Sequence, residues 1–280
     1  MPRTPPPRFG TLDALRTAPP AGARALPTLV WLHGGKFTDG RPEDALALAE
    51  ALSDLVEVWL PAYPLAPAQP FPAALDALFE GLRALPARNG LLIGGERAGG
   101  NLAAALALRA RDEGLRGHGA GDHAFDAQIL LAPLLDPSQN TPSMRAAGEC
   151  PCAPAWRAYL SQSADGLHPY AAPLFASRLQ RLPNTLILTG DRDPARDEAV
   201  QYAERLRLAG VPVDLGRLSY PPLDERERAA TTADAARLIR AFIDTLPARR
   251  RTPRPSPRRR ASPASQTDSS AIAPVPPDIR

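Results

Sequence analysis

Lysine is nearly missing from this chain of 280 residues: Lys36 is its single example, although Lys and Arg together number 33. Cysteine is almost as scarce. Cys150 and Cys152 lie one residue apart, too close for a structural disulfide and too few for a metal site, so both read as ordinary thiols. His118 and His123, near Asp122 and Asp126, fall in a Gly-rich stretch with no matching ligand set nearby, and no metal is expected. No run of about 18 apolar residues occurs, which argues against a membrane-spanning helix. The opening MPRTPPPRFGTLDALRT lacks the apolar core of a secretory signal, and the expected location is the cytoplasm. No cofactor is expected.

What is abundant is arginine and proline, and they are unevenly spread. Residues 248–280 carry eight arginines against Asp268 and Asp278, a net +6, so a chain of net charge +3 leaves residues 1–247 at −3. The Arg/Pro/Ser-rich segment 248–280 is expected to be a disordered tail, since its composition supplies too little apolar surface to fold. Weak contact with nucleic acid through that tail is conceivable on charge. The arginines have no interleaved aromatic residues on which bases would stack, so nucleic acid is not an expected partner.

Between a proline-rich segment (1–27) and the tail, short apolar runs alternate with helical patterns. Strands are expected at 28–35, 55–62, 90–95, 127–133, 184–190 and 211–220. Helices are expected at 42–54, 71–85, 99–114, 196–210 and 231–246. This order predicts one α/β domain over 28–247, a mostly parallel central sheet with helices on both faces. Ligands then gather at the carboxyl ends of the strands. Residues 136–177 break the alternation and are expected to form a cap-like insertion. The segment 1–27 looks too rich in proline for a regular pair of edge strands, so a reduced cap is expected there.

At the predicted strand ends stand HGGKF (33–37), AYPLAPAQPFPAALDA (62–77), GGERAGGNLAAALALRARDEG (94–114), YAAPL (170–174) and LPNTLILTGDRDPARDEAVQYAERLRLAGVPV (182–213). In order and spacing they resemble the HGGGF, YRLAPE-PFPAAL and GDSAGG blocks of the hormone-sensitive-lipase-like branch of the α/β hydrolases. The match runs from about Leu29 to Leu246. The resemblance implies an α/β-hydrolase fold and carboxylesterase machinery: a serine nucleophile on a strand-to-helix elbow, a histidine base, an acid, and backbone N–H groups for the oxyanion.

Two of those parts are absent. Arg97 stands where the resemblance implies the serine, and a guanidinium is neither a nucleophile nor a base. Where the histidine is implied the chain reads YPPLDERERAA (220–230), which puts Asp224 or Glu225 there; its four histidines, His33, His118, His123 and His168, are elsewhere. Asp193 survives as the implied acid. The implied oxyanion and ligand-binding residues are His33, Gly34, Gly35, Lys36 and Ala98, with Lys36 in place of a third glycine. Lys36 and Arg97 are both expected to face the pocket, with Asp193 and Asp224 or Glu225 near enough to pair with them.

Three readings remain open. Arg97 pairs internally with Asp193, alone or together with Glu225, because an unpaired buried charge is costly. Alternatively Arg97 and Lys36 bind a small anionic or carbonyl-bearing molecule, as the related plant gibberellin receptors bind a carboxylate without the catalytic histidine. In the third, an active hydrolase or a non-hydrolytic enzyme uses Lys36 and Asp193 in a rearranged site. Ordinary esterase activity is disfavoured. A homodimer through the last strand and helix, or a heteromeric partner, is also open.

Overall fold

In the computed structural model the described residues are 7–17, 26–85, 89–115, 124–148, 152–222 and 224–247. They belong to the first of two units, Met1–Arg249. The predicted tail, His118, His123 and Cys150 lie outside the described residues.

The strands are β1 (Arg8–Phe9), β2 (Leu12–Arg16), β3 (Thr28–Leu32), β4 (Glu57–Pro61), β5 (Leu91–Glu96), β6 (Ala127–Leu131), β7 (Asn184–Gly190) and β8 (Val213–Leu218). They form one sheet in the order β1-β2-β4-β3-β5-β6-β7-β8, parallel from β4 through β8. All six expected strands are present. The helices are α1 (Leu46–Ala51), α2 (Ala73–Ala84), α3 (Ala98–Asp112), α4 (Pro142–Ala146), α5 (Ala153–Tyr159), α6 (Arg196–Leu208) and α7 (Glu225–Thr245).

β3 is buried along its whole length, as a strand covered on both faces must be. Its alternate residues enter two different cores: Val30 and Leu32 join the one that holds α2, α3 and α6, whereas Leu29 and Trp31 join the one that holds α1 and α7. No described helix is long and apolar enough to cross a membrane.

The expectation of no regular edge strands in the N-terminal segment is corrected. β1 and β2 pair antiparallel, and β2 adds antiparallel to β4, with Ala14 opposite Pro61 and Arg16 opposite Trp59. The physical reason is local: the prolines lie at 2, 5, 6 and 7 and again from 19 onward, so 8–18 is free of them. Gly10, at φ 61°, makes the turn, and Phe9 and Ala14 point into the core.

Among the described residues of 136–177, two short helices, α4 and α5, are followed by turns of 3-10 helix at 163–167 and 173–175. α5 buries Trp156 and Tyr159. Phe37 stacks on Tyr159 with ring centroids 4.0 Å apart and meets Trp156 at 4.7 Å. The Phe71 N–H donates to Tyr159 O at 2.8 Å, which ties α5 to the segment before α2.

Candidate functional site

The elbow is a sharp change of direction between β5 and α3. Arg97 sits at the turn with φ 53° and ψ −115°, a backbone region that side-chain-bearing residues rarely adopt. Packing holds it there. The Arg97 N–H donates to Leu131 O at the end of β6, and Arg97 O accepts from Asn101 and Leu134 N–H groups. The buried Asn101 side chain donates to Leu134 O and Ala171 O, which fastens α3 to the loop after β6. Gly99 is required by close approach: a Cβ there would lie 2.1 Å from Leu32 O and 2.4 Å from His33 O.

The 33–40 loop comes up beside this turn, since a Cβ on Gly34 would stand 3.8 Å from Arg97 Cβ. His33 is buried; its Nδ1–H donates to Gly34 O at 2.7 Å, its ring stacks on Tyr63 at 4.1 Å, and the Tyr63 hydroxyl donates to His33 O. Burial lowers the His33 pKa, with the Gly34 carbonyl opposing, so the ring is a neutral brace for the loop. Gly35 (φ 110°), Lys36 (φ 53°) and Phe37 (φ 70°) run through consecutive positive-φ positions. Among the described residues, the N–H groups of Gly35, Lys36 and Ala98 donate to no acceptor.

Arg97 and Asp193 are brought together. Arg97 Nη1 donates to Asp193 Oδ1 at 2.6 Å; the Asp193 side chain has no solvent exposure and that of Arg97 has 17%. The guanidinium also lies over the Tyr220 ring, 5.0 Å from its centroid. Burial opposes the charge on Arg97, but Tyr220 and Asp193 outweigh it and hold the pKa above the usual guanidinium value. For Asp193 burial prevails and pushes the pKa up, with Arg97 and the Ala195 N–H opposing. Asp193 Oδ2 is buried without a hydrogen-bond partner among the described residues.

Two expected members do not join this pair. Asp224 is the N-cap of α7 and accepts from the Glu227 N–H at 2.8 Å, while Glu225 has a 92% exposed side chain that pairs with Arg228 at 3.6 Å. They are helix-start residues; an acidic N-cap and first turn satisfy orphan N–H groups and the helix dipole. α7 accordingly starts at 225 rather than 231. Lys36 is exposed and forms no ion pair among the described residues. The expectation that it pairs with an acid of the Arg97 pocket is not met among the described residues: the side chain is exposed, where hydration of the ammonium is cheapest.

Sequence reasoning missed Glu96 and Tyr220. The Tyr220 hydroxyl donates to Glu96 Oε1 at 2.6 Å, and burial, reinforced by Glu96, raises the phenol pKa far enough to keep it protonated. Their signal was positional: Glu96 immediately precedes Arg97 and Tyr220 follows the last strand.

A family model described as alpha/beta hydrolase fold matches residues 29–222. The carboxylic ester hydrolase LipN of Mycobacterium tuberculosis is 35% identical over 216 residues, 70% of this chain and 56% of that protein. The gibberellin receptor GID1B of Arabidopsis thaliana is 28% identical across 74% of this chain and 62% of its own length. The chain thus spans only about three-fifths of these relatives. An esterase structure from Pyrobaculum calidifontis superimposes with a TM-score of 0.69 at 29% identity, covering 82% of this chain and 81% of that one.

Proposed function

This chain belongs to the hormone-sensitive-lipase-like branch of the α/β-hydrolase fold family, and from that membership we propose that it is a member that does not hydrolyse esters, its elbow closed by an internal ion pair. The observation that carries this reading is the 2.6 Å contact of Arg97 Nη1 with Asp193 Oδ1. An esterase elbow needs a group that attacks a carbonyl and a base that takes its proton. Here a permanently protonated side chain fills the nucleophile position and occupies the acid that would orient the base. Lys36 is exposed and forms no ion pair among the described residues, so nothing there holds it as a replacement base.

The test is turnover of p-nitrophenyl acetate and butyrate by the purified full chain. The expected rate equals the buffer background, and Asp193→Asn leaves it unchanged. Turnover well above background that Asp193→Asn abolishes would overturn the proposal and revive a rearranged active site.

A second reading has its own support. Arg97 gives Asp193 a single hydrogen bond, so its other guanidinium N–H groups have no acceptor among the described residues, beside the free N–H groups of the 33–40 loop. Donors converging in this way suit a small carboxylate, and a relative named as a receptor is a precedent for binding in this fold. On this reading, benzoate or hexanoate raises the thermal midpoint of the full chain and does nothing for Arg97→Lys, which keeps the charge but loses the planar fork. Equal shifts in both proteins, or none in either, leave the ion pair as a purely structural lock.

A further inference from the structure

A cavity of about 410 Å³ opens between α1 and α7, among the core residues of the other sheet face. Trp31, Leu48, Leu131 and Tyr220 contribute its apolar wall, and Asp44 and Glu96 are also at its surface. Its size falls at the lower end of small-molecule sites, and its mixture of apolar wall and few polar groups is typical of them.

The charges decide what it takes. Asp44 is already engaged, accepting from the Arg41 N–H at 3.0 Å and standing 3.6 Å from Arg41 Nε. Glu225 and Arg228, at the rim, pair with each other. Glu96 differs: its only hydrogen bond among the described residues is the one it accepts from the Tyr220 hydroxyl, and it forms no ion pair there. Arg97, next to it in sequence, is spent on Asp193. Half-buried at the cavity wall, the Glu96 carboxylate has a single neutral donor and acceptor capacity left for a charged one. With Asp44 paired to Arg41 and Glu225 to Arg228, Glu96 is the carboxylate of the lining that has no ion pair among the described residues.

We infer that this cavity binds a small organic cation, a primary amine on a compact apolar body, with Glu96 as its counter-ion. The ammonium donates to Glu96 while the Tyr220 hydroxyl keeps its own bond to Oε1, and the body lies against Trp31, Leu48 and Leu131. This site is independent of whether Arg97 receives an anion. It is separate chemistry, of opposite charge, at a cavity that shares Tyr220 with the Arg97 site.

The test is calorimetric titration of the full chain with 2-phenylethylamine, tyramine and cyclohexylmethylamine, against 2-phenylethanol and 3-phenylpropionate. At least one amine is expected to bind about tenfold more tightly than the alcohol, the scale of one charge-assisted hydrogen bond, and the carboxylate is expected to bind least. Glu96→Gln, which keeps an acceptor for Tyr220, should reduce the amine to the level of the alcohol. Leu48→Trp should remove both by filling the cavity. The inference is overturned if no amine binds, if amine and alcohol bind alike to the unaltered chain, or if a folded Glu96→Gln protein retains the amine preference. The amine-to-alcohol comparison needs no variant and stands even where one fails to fold.

Discussion

Arg97→Ala is expected to lose roughly 3–5 kcal/mol of stability, the scale on which breaking a buried ion pair leaves one charge uncompensated. The contact is short, Asp193 has no exposure, and Asp193 Oδ2 already lacks a partner among the described residues. Removing the guanidinium therefore leaves the carboxylate the Ala195 N–H and the nearby Thr189 side chain. The loss has a pH signature. Arg97 opposes the burial that raises the Asp193 pKa, so the variant's Asp193 holds its proton still more tightly in the folded state. A raised folded pKa gives stability that is present at low pH and is lost as pH rises through it. The variant should accordingly be nearest to the unaltered protein in acid and furthest from it near neutrality. Arg97→Ala with Asp193→Asn should recover most of the loss, because the buried charge goes with its partner. Arg97→Gly should exceed Arg97→Ala by about 1 kcal/mol, since φ 53° suits glycine. Urea unfolding across pH reads all of these. A loss in Arg97→Ala below about 1 kcal/mol that is the same at every pH would show that the pair holds little.

The parallel sheet was legible because strands buried on both faces read as continuous apolar runs, and helices between them keep a three-to-four apolar spacing; β3 and α2 are clear instances. The Arg97–Asp193 pair was legible for a related reason. The fold puts both at strand ends facing one pocket, and a buried arginine needs an acid. What failed depended on signals that work at shorter range. Proline content summed over 1–27 hid the proline-free stretch that forms β1 and β2. Asp224 and Glu225 were placed by analogy with a lost histidine, while their own local chemistry, an Asp N-cap followed by an acidic first turn, announced the start of α7. Lys36 was placed inside because it replaces a glycine of the loop. Lys36 is nevertheless exposed while Phe37, also at positive φ, is buried, and that course of the loop is not written in residue type.

Glu198→Gln is expected to gain stability relative to the unaltered protein as pH rises from about 4.5 toward neutrality. Glu198 lies in the first turn of α6, 1% exposed, where Oε2 accepts the Leu135 and Asp136 N–H groups at 3.1 and 2.6 Å. It thereby fixes the turn that leads from β6 into 136–177. Oε1 has no partner among the described residues. Burial pushes the carboxyl well above the ordinary value of 4.5; the backbone bonds pull the other way, and Asp136 and Asp193 add to the rise. The folded state then binds the proton more tightly than the unfolded chain, so between 4.5 and the folded pKa stability falls with rising pH, by up to about 1.4 kcal/mol per pH unit. Glutamine keeps an oxygen for the two N–H groups and has no charge to bury. Its own cost, an amide lacking an acceptor, is about 1–3 kcal/mol and does not vary with pH. The difference between variant and unaltered protein should thus slope upward with pH even where the variant begins less stable. Asp193 titrates in both proteins and largely cancels. Loss of Glu198 as a like charge eases ionisation of Asp193 and adds to the same slope. Denaturant unfolding at several pH values from 4 to 8 measures it. A pH-independent difference would mean that Glu198 is charged throughout, held by its two backbone donors.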